Sequence, residues 1–327
     1  MDMIKEEDNK IHSLMNSDSE KLRTEGTIKS YIDTEDRFNY KKEEYIINAI
    51  NSTEIKDTDN DEEVSPELIS KLEKIVSIAP KLELIIKDSL YLEIGLKIKI
   101  NALGLVEKSL RNKKDGYTFF GIVSPEANNN IDIDFSTIDY LNNINNIKDD
   151  PIQYGRQFRI RFDINENCYF IKDCSYGHGY GTFMKIINET KIKDNTLINI
   201  GENYVVFTLG VDDYEQNDNN IENEKVLSVK VFRGEINNFS YVFNQSQIDK
   251  ITIGKNDNCN IVLEDNILDD IHCTIEYKKG LGWVINDGYN NKKSESGTWL
   301  GFSEETKIFE KMIIQSNQNI YECHIIK

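Results

Sequence analysis

The sequence predicts a mainly β protein: two copies of one β-sandwich, preceded by an acidic, mostly disordered tail and a short helical segment. Three observations carry this. From about residue 92 the chain runs in short stretches of alternating β-branched and aromatic residues punctuated by Gly and Asn, the pattern of a sandwich of many short strands. A shift of 116 positions lays Gly181-Thr-Phe-Met-Lys-Ile-Ile-Asn-Glu-Thr-Lys-Ile192 on Gly297-Thr-Trp-Leu-Gly-Phe-Ser-Glu-Glu-Thr-Lys-Ile308, with six of twelve positions identical and no gap. Residues 1–64 are rich in Asn, Asp, Glu and Lys, a composition that buries too little apolar surface to offset its ordering entropy.

Composition narrows the functions. The 327 residues carry 57 Asp and Glu against 39 Lys and Arg, a net charge of −18. Duplex binding rests on Lys and Arg neutralising phosphates, and no long basic block is present, so a nucleic-acid partner is not expected. No apolar run reaches the roughly 18 residues that span a bilayer. Met1 to Asp8 lacks the cationic start and apolar stretch of a signal peptide, which predicts an intracellular, cytoplasmic or nuclear protein with no membrane partner. Cys168, Cys174, Cys259, Cys273 and Cys323 are odd in number and form no C-x-x-C pair, fitting a reducing compartment and neither disulfides nor zinc.

Taken in order, the acidic tail ends in Asp57-Thr-Asp-Asn-Asp-Glu-Glu63. The spacing of Asp57, Asp59 and Asp61 imitates a calcium loop, but Glu62 stands where the loop needs Gly and Leu68 where it needs Glu, so no metal is expected. Ser65 is a good N-cap and Pro66 suits the first helical turn; Leu68, Ile69, Leu72, Ile75, Val76 and Ile78 give a helical stripe that Pro80 ends. A second helical piece is expected over Leu82 to Leu90. Strands follow over Leu96–Ile100, Tyr117–Gly121, Phe158–Phe162, Tyr169–Lys172, Leu197–Ile200 and Tyr204–Leu209, and Arg159 and Arg161 fall together on the solvated face of theirs.

The repeat extends upstream. Tyr169 to Asp173 matches Trp283 to Asp287, Phe158 to Phe162 matches Cys273 to Tyr277, and Leu96 to Ile100 matches Leu227 to Val231. The expected organisation is a tail over 1–64, a helical segment over 65–91, one sandwich over 92–211, a charged linker over 212–225 and a second sandwich over 226–327. An Asn-rich insertion, about Ser124 to Pro151, reads as a surface loop.

The second copy presents Ile253-Gly254-Lys255, Cys259 to Val262, Asp269-Asp-Ile-His272, Trp283 to Asp287 and Ser296-Gly297-Thr298 in that order. This resembles a forkhead-associated (FHA) domain; the first copy resembles it more weakly through Gly121, Gln157 to Phe162, Asp173 and Gly181-Thr182. The resemblance implies a β-sandwich whose loops at one end read phosphothreonine peptides, with an arginine and a serine on the phosphate and an asparagine on the peptide backbone. Those positions here are Lys255, Asp269 (followed by Asp270) and Ser296, while the first copy has Ile122, Tyr154 and Tyr180. A carboxylate about 4 Å from a phosphate is repelled by roughly 4 kcal/mol per unit charge at an effective dielectric near 20, so the usual ligand does not follow from the fold.

Other motifs resolve to structure. Asp173, Ser175 and His178 fall in one turn and cannot converge as a triad. Gly177-His-Gly-Tyr-Gly181 precedes a strand and reads as a hairpin. The reading is therefore a non-catalytic interaction adaptor without cofactor, with Lys255, Asn256, Asp269, Asp270, Lys292, Lys293, Ser294 and Ser296 as peptide-binding residues and Gly254, His272, Asp287 and Gly297 as structural ones. The rival reading is a phosphothreonine-peptide reader acting through the second copy. The partner is a protein or phosphoprotein, or the chain's own tail through an acid-flanked Thr58.

Overall fold

The computed structural model describes residues 64–89, 92–109, 111–123, 130–135, 155–175, 181–211, 225–233 and 237–327. Expectations for the tail, Thr58, His178, Tyr154, Tyr180 and most of the linker lie outside these residues. The described residues open with helix α1 (Pro66–Ile75), where the Ser65 hydroxyl accepts from Leu68 N–H and Leu72 is buried. All other regular structure among them is β.

Four blocks of strands follow. The first comprises β1 (Lys81–Ser89), β2 (Lys97–Asn101), β3 (Gly104–Leu105), β4 (Tyr117–Ile122), β5 (Ile133–Asp134), β6 (Gly155–Asp163) and β7 (Cys168–Asp173). The second comprises β8 (Thr182–Lys185), β9 (Thr190–Lys191), β10 (Thr196–Ile200) and β11 (Asn203–Val211). The third comprises β12 (Lys225–Arg233), β13 (Asn237–Asn244), β14 (Lys250–Gly254), β15 (Ile261–Val262), β16 (Cys273–Lys278) and β17 (Gly282–Asp287). The fourth comprises β18 (Trp299–Gly301), β19 (Thr306–Lys307), β20 (Ile313–Ser316) and β21 (Asn319–Ile326).

One sequence expectation fails at the start. Residues 81–89 form a strand and not a helix: Leu82, Leu84 and Ile86 are fully buried at period two, and the strand pairs with β2 on one side and β21 on the other. The run Leu-Glu-Leu-Ile-Ile hid the alternation. It follows that β1 is the counterpart of β12 and β2 that of β13, so the match of residues 96–100 to 227–231 was one strand out, and the first lobe begins before residue 92.

The blocks do not pack as the repeat divides them. β9 pairs with β17, while its counterpart β19 pairs with β7. β11 pairs with β12, and β21 pairs with β1. The first core gathers Leu84, Phe120, Phe158 and Ile171 with Ile308, Ile314 and Tyr321 from the C-terminal block. The second gathers Val229, Ile253, Ile275 and Ile285 with Ile192, Ile198, Val205 and Phe207 from the middle block. Thus the two copies exchange their last strands: the first lobe is β1–β7 with β19–β21, and the second is β12–β17 with β9–β11. At the crossing β8 and β18 pair antiparallel, Leu300 opposite Met184, and join one 11-stranded sheet that runs through both lobes. Each lobe adds a five-stranded sheet, β15-β14-β16-β17-β9 or β19-β7-β6-β4-β5. The sequence boundaries 92–211 and 226–327 therefore each contribute to both cores.

Candidate peptide-binding loops of the second lobe

The loops at one end of the second lobe are held by a close backbone approach. A Cβ on Gly254 would lie 2.2 Å from Asp270 O, and one on Gly121 would lie 2.1 Å from Gly155 O. Only glycine allows these contacts, and they align the copies: Lys255 corresponds to Ile122, Asp270 to Gly155, Asp269 to Tyr154 and His272 to Gln157. Beyond Gly254 the Lys255 and Asn256 N–H groups donate to Asp269 O (3.2 Å) and Asp270 O (3.1 Å).

His272 is fully buried where these loops meet. Its Nδ1 accepts from Asp269 N–H at 3.4 Å and its Nε2–H donates to Gly297 O at 3.0 Å, so a neutral imidazole satisfies both neighbours. Burial holds its pKa below the ordinary value, against the pull of Gly297 O and the nearby carboxylates. Asp287, at the end of β17 and buried, accepts from the Ser294 hydroxyl and from Thr298 Oγ1 (2.9 Å), and Ser294 in turn accepts from Gly297 N–H (3.0 Å). Trp299 Nε1–H closes the turn on Ser296 O at 3.0 Å.

These contacts sort the expected site residues. Ser294 is buried and its hydroxyl is bonded within the loop. Asp269 is half-buried and its Oδ2 accepts from Glu295 N–H at 2.9 Å, so the residue at the serine position acts as a brace. Asn256 turns its amide oxygen to Asn258 N–H. Lys255, Asp270, Lys292 and Lys293 are exposed on the rim. The hydroxyl of Ser296 is buried and has no hydrogen-bond partner among the described residues.

Sequence reasoning missed one residue. Lys185, from β8 of the first copy, lies across Gly297, where a Cβ would come 2.9 Å from its Nζ, and its ammonium sits 5.6 Å from the centre of the Trp299 ring. Gly297 has φ +82°, so its bare, left-handed backbone both turns the loop and admits this side chain. Nothing in the local sequence could have signalled it, because it arrives through the strand exchange.

The described residues hold no group of three or more His, Cys, Asp or Glu arranged for a metal ion. No helix among them is long and apolar enough to cross a membrane. No curated protein matches the chain. Among solved structures, one from a structural and functional analysis of phosphothreonine-dependent FHA domain interactions is similar at 12% identity, over 39% of this chain and 95% of that one, with a TM-score of 0.13. Residues 251–321, which hold the whole braced loop cluster from Gly254 to Thr298, match the family model of the FHA domain.

Proposed function

We propose that the chain is a non-catalytic protein–protein interaction adaptor whose second lobe takes a partner peptide on its loop end. The observation that carries this is the division of labour in the loops: the buried His272, Asp287 and Ser294 and the half-buried Asp269 are hydrogen-bonded within the frame, while Lys255, Lys292, Lys293 and Asp270 are exposed. A preorganised frame with an exposed polar rim binds without the cost of ordering loops first. The five cysteines, all free, fit work in a reducing compartment. Among the described residues the first lobe has Ile122 at the cation position and Gln157 at the histidine position, which supports a degenerate module there.

The rival reading, a phosphothreonine reader, is favoured by the three rim lysines and by Lys185. Against it stand Lys255 in place of a forked arginine and Asp270 on the exposed rim, whose carboxylate repels phosphate. A peptide array in paired threonine and phosphothreonine forms, probed with the full chain and with Lys255→Glu, tests both. The adaptor reading expects bound sequences that do not require phosphate and that Lys255→Glu releases. Binding confined to the phosphorylated members establishes the reader instead, and binding that Lys255→Glu leaves intact removes the loop end from either reading.

A further inference from the structure

The two lobes present the outer face of their five-stranded sheets in register, and this gives an internal control. In the second lobe Thr252 stands opposite Thr274 and Thr274 opposite Asn286, flanked by the Lys250–Glu276 ion pair at 2.8 Å. The fold is satisfied by these small polar residues. In the first lobe the same positions hold Phe119, Arg159 and Lys172 in a row across three strands. Beside them Arg156 lies 3.8 Å and Arg111 4.8 Å from the Phe119 ring centre, and Arg159 lies 5.2 Å from that of Tyr117.

The neighbouring cations are neutralised locally. Arg161 pairs with Asp163 and Glu305, Arg111 with Asp115 and Asp132, and Lys307 with Glu166. Arg159 and Lys172 are different: they are adjacent like charges, and among the described residues neither has an acidic partner. The Nε of Arg159 is buried and has no hydrogen-bond acceptor among the described residues. Like charges set directly opposite in a sheet are destabilising, and a buried donor left unmet is costly.

We propose that this face of the first lobe docks an acidic segment of a partner protein, whose carboxylates are received by Arg159 and Lys172, with the half-buried Tyr117 ring beside them and the buried Phe119 ring supporting the arginines from beneath. A nucleic acid is disfavoured because Asp163 and Glu305 on one side and Asp115 and Asp132 on the other confine the basic strip to a few side chains, while the whole chain repels an extended polyanion. The face is independent of the second-lobe loops, so its failure leaves the function proposed above untouched.

The test measures polarisation of a fluorescein-labelled hexaglutamate peptide with the full chain at about 50 mM salt, where surface charges are weakly screened. Arg159→Thr with Lys172→Asn installs the residues the second lobe already carries, and should weaken binding by roughly tenfold or more, while Lys71→Gln, an exposed lysine of α1, leaves it nearly unchanged. Added salt should weaken the wild type in the same direction. If the double variant fails to fold, as judged by circular dichroism, Arg159→Lys against Arg159→Gln decides: the first should retain most of the binding and the second lose it. Undetectable binding of the peptide, equal binding by wild type and variant, or preferential binding of polyuridylate through Arg159 would each overturn the proposal.

Discussion

In the second lobe the residue that enters β16 is a buried histidine whose two ring nitrogens tie loops 269–272 and 294–297 together; in the first lobe that place is Gln157, and the built surface is the arginine and aromatic face around Arg159. One scaffold, repeated, has put its polar detail at the loop end in one copy and on the sheet face in the other. The shared part is the strand order and the glycine contact at Gly121 and Gly254. The divergent part is what solvent sees, which packing does not dictate. What joins the lobes is the exchange of their last strands, so a change in either copy's C-terminal block is felt in the other lobe.

The largest test of that comparison removes residues 302–327, keeping β18. In the exchanged arrangement the first lobe loses Ile308, Met312, Ile314, Tyr321 and Cys323 from its core, whereas the second keeps every strand that covers Trp283. The first lobe should unfold and Trp283 should stay blue-shifted in fluorescence. A red shift of Trp283 with the first lobe intact would mean that each copy closes on its own strands. For the same reason, a chain nicked within 212–224 should remain one particle by gel filtration, because each fragment holds strands of both lobes.

The exchange also shows where reading the sequence stops. Strands such as Phe158 to Phe162 were legible because their alternation survives in three dimensions: Phe158, Ile160 and Phe162 are buried and Arg159 and Arg161 are not. Strand β1 was not legible because Ile85 interrupts the alternation of Leu82, Leu84 and Ile86 with Glu83 and Lys87, so that the run also reads as a helical stripe. The exchange itself could not be read. β9 and β19 are the same dipeptide, Thr190-Lys191 and Thr306-Lys307, so nothing in either specifies whether it joins β7 or β17. Of the candidate site, the motif order located Gly254, His272, Asp287 and Gly297, while the hydrogen bonds of Ser294 and Asp269 within the loops and the approach of Lys185 from β8 were not legible.

Within the first lobe, Tyr321 tests the packing of the exchanged strand. It is fully buried against Phe120, Phe135 and Phe158, with ring centres 5.9–6.2 Å away. Tyr321→Ala should cost about 3–5 kcal/mol by denaturant titration. Its hydroxyl has no partner among the described residues, so Tyr321→Phe should be neutral or stabilising. A loss with Phe as large as with Ala would show that the hydroxyl, and not the ring, holds the strand.

Asp287 and Asp173 end corresponding strands, and their difference separates the two loop ends. Asp287→Ala strands two hydroxyl donors, Ser294 and Thr298, and should cost about 1–3 kcal/mol. Asp173 accepts from the Ser175 hydroxyl, its other oxygen has no partner among the described residues, and burial pushes its carboxyl above the usual range, so its charged form is already disfavoured and Asp173→Asn should cost less than Asp287→Asn. Equal losses would mean that the first lobe's loop is braced as firmly as the second's.

The smallest effect is a pH dependence that only one lobe should show. Burial depresses the His272 pKa, so the unfolded chain takes up this proton at a higher pH than the folded one does. Stability from this group is therefore complete above about pH 6.5, the ordinary histidine value, and declines as the pH falls below it. The loss is local: a protonated ring no longer accepts from Asp269 N–H, which frees the loop that carries Asp269 and Asp270, while Gln157 in the first lobe does not titrate. Amide exchange between pH 7 and 5.5, corrected for intrinsic rates, should rise at residues 269–272 and 294–297 more than at 155–158. His272→Gln, which installs the first lobe's residue, should lower protection at pH 7 and abolish its further fall with pH. A wild-type pH response that persists unchanged in His272→Gln would assign it to the surrounding carboxylates instead.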